Sequence, residues 1–185
     1  MLAKFTDFIS LDTEAAHDYG QRYMWENYPT YSRLKIGAST AGTQLLMQLS
    51  NCLVFPVYCL YVLVIARSAT KEGRYQSPAI ETPIELTDFL LDYQQLFESD
   101  GRHHLWISSP AANATLVYDK HNVIYAYGPL EEFAAELQKV GYREEEFDLP
   151  FPHAHNYLVE NDSSVESLLQ YWNWQYFPLQ EIDEE

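Results

Sequence analysis

The chain has 185 residues, 47% of them hydrophobic and 15% aromatic, with 11 Lys and Arg against 27 Asp and Glu, a formal charge of −16. A chain of that length buries on the order of 70% of its unfolded surface, which excludes disorder and any need for disulfide staples. The charge repels a phosphate backbone, because binding by counterion release needs clustered Lys and Arg, so nucleic acid is set aside as a partner.

The first residues carry Lys4 and Asp7 where a secretory leader needs a continuous apolar run, which predicts a cytoplasmic protein. Asp12 to Asn27 then reads as a helix begun by Asp12 or Thr13 and stopped by Pro29, with Tyr19 and Tyr23 four apart on one face. Leu34 to Ile36 has strand character, and Gly37-Ala-Ser-Thr-Ala-Gly42 follows it. A second helix over 40–53 repeats Leu45, Leu46, Leu49, Cys52 and Leu53 with helical period. Strand, glycine loop and helix in that order suit a phosphate-binding loop. Thr43 and Gln44, however, stand where Lys and then Ser or Thr would meet the phosphates and magnesium, so no nucleotide or other cofactor is expected.

No formal charge lies between Lys35 and Arg67, and 52–66 is nearly all apolar, so a membrane span must be weighed. That apolar part is 15 residues and contains Pro56, whereas a span needs ~18 uninterrupted ones. Val57 to Ile65 is rich in β-branched and aromatic residues, which predicts a central strand covered on both faces and no membrane. Cys52 and Cys59 form no C-x-x-C motif and read as reduced, buried thiols.

After an exposed turn over 68–78, Thr82-Pro83-Ile-Glu85 supplies an N-cap, a first-turn proline and a capping-box glutamate. The helix they open should run to Glu98, with Leu86, Phe89, Leu90, Tyr93, Leu96 and Phe97 inward and Asp100-Gly101 ending it. Strands follow at 103–108, 114–118 and 123–127. The last two form a hairpin through Asp119-Lys-His-Asn122. A left-handed Asn122 in a three-residue loop sets Asp119 opposite Val123, while a two-residue loop would shift the register by one and swap the faces. Pro129 opens a fourth helix to Lys139 with Gly141 as its stop, a strand over 145–151 returns to the sheet, and Ser163-x-x-Glu166 opens a fifth helix as a second capping box. The expected architecture is α+β: a mixed, mostly antiparallel sheet with about five helices packed on it. It forms one domain over 1–185, with subdomains 1–80 and 81–185 as the fallback.

Two sets of residues carry functional expectations. His153 and His155 are two apart, so both rings project to one side of an extended segment, and His121 sits in the hairpin turn; these three are the candidate metal ligands. Their bland alternative is a surface or interface segment and a turn residue, with His103 and His104 at a nearby strand end. The second set lies in the tail. The 42 residues after Arg143 hold eleven acids, with Trp172, Trp174, Tyr176, Glu181 and Asp183 as candidate contacts for a basic protein partner. No G-x-S-x-G elbow activates a serine, the abundant carboxylates nominate no pair, and Trp106, Tyr118, Tyr125 and Tyr127 read as packing before a ligand platform. The leading expectation is a non-catalytic acidic binding module for a basic protein. The alternative is a small His-dependent, possibly metal-dependent enzyme.

Overall fold

The computed structural model describes residues 3–10, 13–38, 42–67 and 70–183. β1 (Phe5–Ser10), β2 (Thr13–Ala16), β3 (Arg22–Asn27) and β4 (Ser32–Gly37) come first, then α1 (Gly42–Ser50), β5 (Tyr58–Leu63) and β6 (Gly73–Gln76). α2 (Pro83–Asp92) and α3 (Gln94–Ser99) lead into β7 (His103–Ser109), β8 (Ala114–Tyr118) and β9 (Val123–Tyr127). α4 (Leu130–Lys139), β10 (Arg143–Glu144), β11 (His153–His155), α5 (Asp162–Tyr171) and β12 (Gln175–Phe177) complete the order. The fold is α+β, as the patterning predicts.

Nine strands form one sheet in the order β10-β3-β4-β9-β8-β7-β5-β6-β12, antiparallel throughout except where β10 runs alongside β3. Blocks of strands from both halves of the chain are interleaved in it. β11, β1 and β2 make a second, three-stranded sheet.

Strand alternation divides the large sheet into two unlike faces. Cys59, Tyr61 and Leu63 of β5, Leu105 and Ile107 of β7, and Leu116 and Tyr118 of β8 are buried in one core with Leu46, Phe89, Phe97, Phe133, Leu137 and Leu168 of the helices. The intervening residues face the other way and meet only partial cover. Over β4 and β9 a smaller cluster of Phe5, Tyr19, Val123 and Phe147 carries the three-stranded sheet. Beside β6 the turn at Glu181–Asp183 is held by the Arg74–Asp183 ion pair, 3.2 Å.

The long apolar run forms β5, between β6 and β7, and no helix among the described residues is long and apolar enough to cross a membrane. Val62 is fully buried on the open face, but Tyr58 and Leu60 there are half-buried, so the cover expected on both sides is incomplete. The hairpin takes the three-residue loop: Tyr118 pairs with Ile124, the Asp119 amide donates to the Val123 carbonyl, and Asn122 adopts φ 60°.

Five expected elements differ. The exposed turn expected over 68–78 carries β6 at Gly73–Gln76, with Gly73 buried. The opening helix is replaced by β2 and β3, separated at Gly20 and Gln21 with φ of 70° and 54°. Tyr19 enters the small cluster and Tyr23 the main core, so the spacing that suggested one helical face serves two cores. The helix from Thr82 breaks at Tyr93 (φ −112°, ψ 14°) into α2 and α3. The returning strand expected over 145–151 does not form: pairing with β3 ends at β10, just before it, and Phe147 turns in to accept from Lys35 Nζ at its carbonyl, 3.0 Å, and to pack on Tyr19. Ser163 lies inside α5 rather than at its cap, since the helix begins at Asp162, whose carboxylate takes Arg102 Nη1 at 2.6 Å.

Arg102 is a fully buried cation whose Nε and Nη2 each donate to Asp100 at 2.8 Å, and Nη2 also reaches the Leu158 carbonyl. These bonds fix the turn before α5 to the start of β7, close to where β11 docks. Residues 39–41 of the glycine segment lie outside the described residues. At its far end a carboxylate, Glu98 Oε1, accepts from the Thr43 amide at 3.1 Å and occupies the helix start that a phosphate would need.

Candidate metal centre and groove

The β8–β9 hairpin presents His121 through a buried carboxylate. Asp119 accepts from the backbone amides of His121 and Val123, both at 2.9 Å, and from the His121 ring at 2.8 Å. Burial alone would raise the Asp119 carboxyl. The hydrogen bond and field of His121, the field of His104 and the Val123 amide outweigh it and hold the group below the usual carboxylate range. An ionised carboxylate only accepts, so in the neutral form of His121 the proton sits on Nδ1 and Nε2 offers its lone pair.

β11 supplies the other two imidazoles. His155 pairs with Phe5 and His153 with Asp7, so alternation puts both rings and Phe5 on one face of the small sheet. His153 Nδ1 lies 2.8 Å from the Pro150 carbonyl, an acceptor only, which again leaves Nε2 with a lone pair. His155 Nε2 is buried with no hydrogen-bond partner, and burial, aided by the fields of His121, Lys120 and His153, lowers this imidazole to about 4.

One ligand atom from each of His121, His153 and His155 lies within 4.8 Å of the other two. Their ring centroids are 4.8 to 5.6 Å apart, and the buried Phe5 ring lies 5.1 to 5.6 Å from all three. Tetrahedral zinc with Zn–N of about 2.0–2.1 Å sets its nitrogens about 3.3 Å apart, so the rings need close by only about 1.5 Å. The structure thus brings together the three histidines picked from spacing, and adds Asp119 and Phe5 around them. His103 instead faces the helices, fully buried and with both ring nitrogens unpartnered. His17 pairs with Asp7 at 2.7 Å.

His121 and Asp119 also line one end of an open groove of about 980 Å³ on the uncovered sheet face. Its floor follows from the strand register. Trp106, Val117 and Tyr125 stand in one row across β7, β8 and β9, and Ser108, Thr115 and Tyr127 in the next. His104, half-buried and lowered to about 4 chiefly by burial, lies at the His121 end. Tyr31 and Arg33 close the far end.

The tail residues are placed differently. Trp172 is half-buried on Phe89, ring centroids 4.3 Å apart, and Trp174 donates from Nε1 to the Leu168 carbonyl at 2.8 Å. Asp183 is 4% exposed and paired to Arg74. Tyr176 and Glu181 are exposed.

Neither Asp119 as a ligand-orienting group nor the groove row is among the residues that spacing singles out. The signal was present: Trp106, Ser108, Thr115, Val117, Tyr125 and Tyr127 alternate with Leu105, Ile107, Leu116, Tyr118, Ile124 and Ala126. Tyr118, grouped with the other aromatics, belongs to the second set and is buried under the helices. Comparisons of the chain with protein-family models, curated proteins and solved structures find no match.

Proposed function

We propose that this chain is a metal-dependent enzyme of hydrolytic type, in which His121, His153 and His155 hold a zinc-like divalent ion and the adjoining groove receives the substrate. One observation carries the reading: three imidazoles converge, and two of them have Nδ1 tied to an acceptor that directs Nε2 outward to a ligand. Metal-binding histidines are oriented in this way by carboxylate or carbonyl partners, and an apolar surround such as Phe5 limits competing water. Three imidazole ligands leave a fourth position for water, whose pKa zinc lowers to about 7, and that is the chemistry of hydrolysis at neutral pH.

Zinc titrated calorimetrically into chelator-stripped protein should bind as a single ion per chain. His121→Ala, His153→Ala and His155→Ala should each weaken it about ten-fold or more, and Asp119→Asn by about 10–100-fold. Zinc at about a hundred times its Kd should stabilise the fold by about 2.7 kcal/mol. Failure to bind zinc, cobalt or nickel, or binding untouched by the three alanine variants, would remove the reading.

A second reading, an acidic module for a basic protein partner, draws on Tyr176 and Glu181, exposed on and beside the edge strand β12. It has less support, because Trp172, Trp174 and Asp183 are used within the fold.

A further inference from the structure

The groove beside the three histidines restricts its own ligand by what its residues already hold. Arg33 is the one Lys or Arg among its described lining residues. Its Nε donates to Glu26 at 2.6 Å, its Nη1 to the Tyr127 hydroxyl at 2.9 Å, and its guanidinium lies 4.0 Å from the Tyr125 ring centroid. Across the groove a second guanidinium, Arg74, is 5.7 Å from the Trp106 ring and paired to Asp183. Both aromatic walls therefore carry a cation already, and both cations carry a carboxylate.

Three ligand classes are disfavoured by this arrangement. An anion meets no unpaired cation there, and it meets a chain of charge −16. A cation at Tyr125 or Trp106 would meet a guanidinium already against each ring, a like charge that an uncharged ring face does not meet. Ser108 and Thr115 bond each other at 3.1 Å and the Tyr127 hydroxyl accepts from Arg33, so a purely apolar ligand would strip water from the spare O–H donors of that pair and of Tyr127, at a cost of about 1–3 kcal/mol for each one left unpaired. What remains is an uncharged molecule with an apolar face for Trp106, Val117 and Tyr125 and a hydroxyl-bearing edge for the next row. The floor from Asp119 to Thr115 spans about 13 Å at ~3.3 Å per residue, so such a ligand lies along β8 with one end at His121.

We propose that the groove binds an uncharged saccharide, its ring face on Trp106 and Tyr125 and its hydroxyls on Ser108 and Thr115. This names the substrate class of the enzyme reading and rests on it for chemistry, but not for binding, since no groove contact used here includes a metal.

The test uses the full chain in chelator, so that a failed metal centre does not mask a working groove. Maltotriose, cellotriose, xylotriose, mannotriose and triacetylchitotriose are titrated by ligand-observed NMR and tryptophan fluorescence, with trigalacturonate and spermidine as charged controls. At least one neutral trisaccharide should bind at or below about 10 mM and outcompete both controls. Trp106→Ala should weaken it about ten-fold or more and Thr115→Val about three-fold. Where Trp106→Ala does not fold, the Trp106 indole N–H resonance, assigned through Trp106→Phe, should shift on titration. No binding by any of the neutral sugars, tighter binding of a charged control, or a bound sugar that leaves the Trp106 signal and the Trp106→Ala affinity unchanged would overturn the proposal. Saccharide binding without zinc binding would retain this inference and remove the hydrolytic reading.

Discussion

The two faces of the nine-stranded sheet use the same strands for opposite purposes. On the helix side nearly every residue of β5, β7 and β8 is apolar and buried, and the helices α1 to α5 cover it. On the other side the same strands carry His104, Trp106, Ser108, Thr115 and Val117, and a small sheet and a tail turn cover only the margins. Packing density settles the first face, where volume and hydrophobicity are the only requirements. The second face holds half-buried polar groups along an open groove, with Ser108 and Thr115 bonded to each other at 3.1 Å and His104 Nε2 without a hydrogen-bond partner. The difference teaches that in an antiparallel sheet one residue of register separates structure from chemistry.

The largest test of the contrast substitutes the same carboxylate on each face. Leu63→Asp places an unpaired charge among fully buried apolar side chains and should abolish soluble expression, while Thr115→Asp on the groove floor should give soluble, folded protein. Wild-type-like thermal stability of Leu63→Asp would break the comparison.

A smaller effect concerns a charge buried on the helix side without a carboxylate bonded to it. Lys4 is fully buried, its Nζ 3.3 Å over the Tyr118 ring and without a hydrogen-bond partner. Burial lowers it from 10.5 to about 7, against the raising fields of Asp119, Glu98 and Asp100. Between these two values the unfolded chain binds the proton that the folded chain has released, so wild-type stability climbs with pH across that window. Lys4→Met should therefore raise the melting temperature most below pH 7, by the equivalent of on the order of 5 kcal/mol, with the gain fading toward pH 10. A gain of equal size at every pH would show that the amine is not the cause.

The smallest effect belongs to the exposed tail. Glu181→Gln should shift folding stability by no more than ~0.5 kcal/mol, because an exposed charge is screened and solvated in both states. A larger loss in chemical denaturation would give this turn a structural part that its exposure does not suggest.

Much of this was legible beforehand for identifiable reasons. Asn122 tolerates the left-handed conformation, and that alone selected the hairpin register on which the groove rows depend. The two-residue spacing of His153 and His155 put both rings on one side of any extended segment, and β11 is extended. The opening helix failed because Tyr19 and Tyr23 satisfy a helical period as readily as they satisfy two separate cores, and spacing within one segment carries no information about which surface will meet it. The tail acids misdirect in a similar way, since Asp183 looks like its neighbours in composition but is buried by Arg74, a residue of distant sequence.

By itself the sequence determined the class of fold, an apolar strand inside the sheet, α1, α4 and the hairpin with its register, because each is written in local periodicity and turn chemistry. Only the tertiary structure decided that β11 leaves the large sheet for a small one against β1, and that this docking carries His153 and His155 to the hairpin bearing His121. The same packing left one sheet face half open beside them. These outcomes depend on contacts between segments more than a hundred residues apart, such as Tyr19 Oη donating to the His121 carbonyl at 2.8 Å. Such contacts form because two surfaces are complementary in three dimensions, and no pattern within a single segment encodes that complementarity.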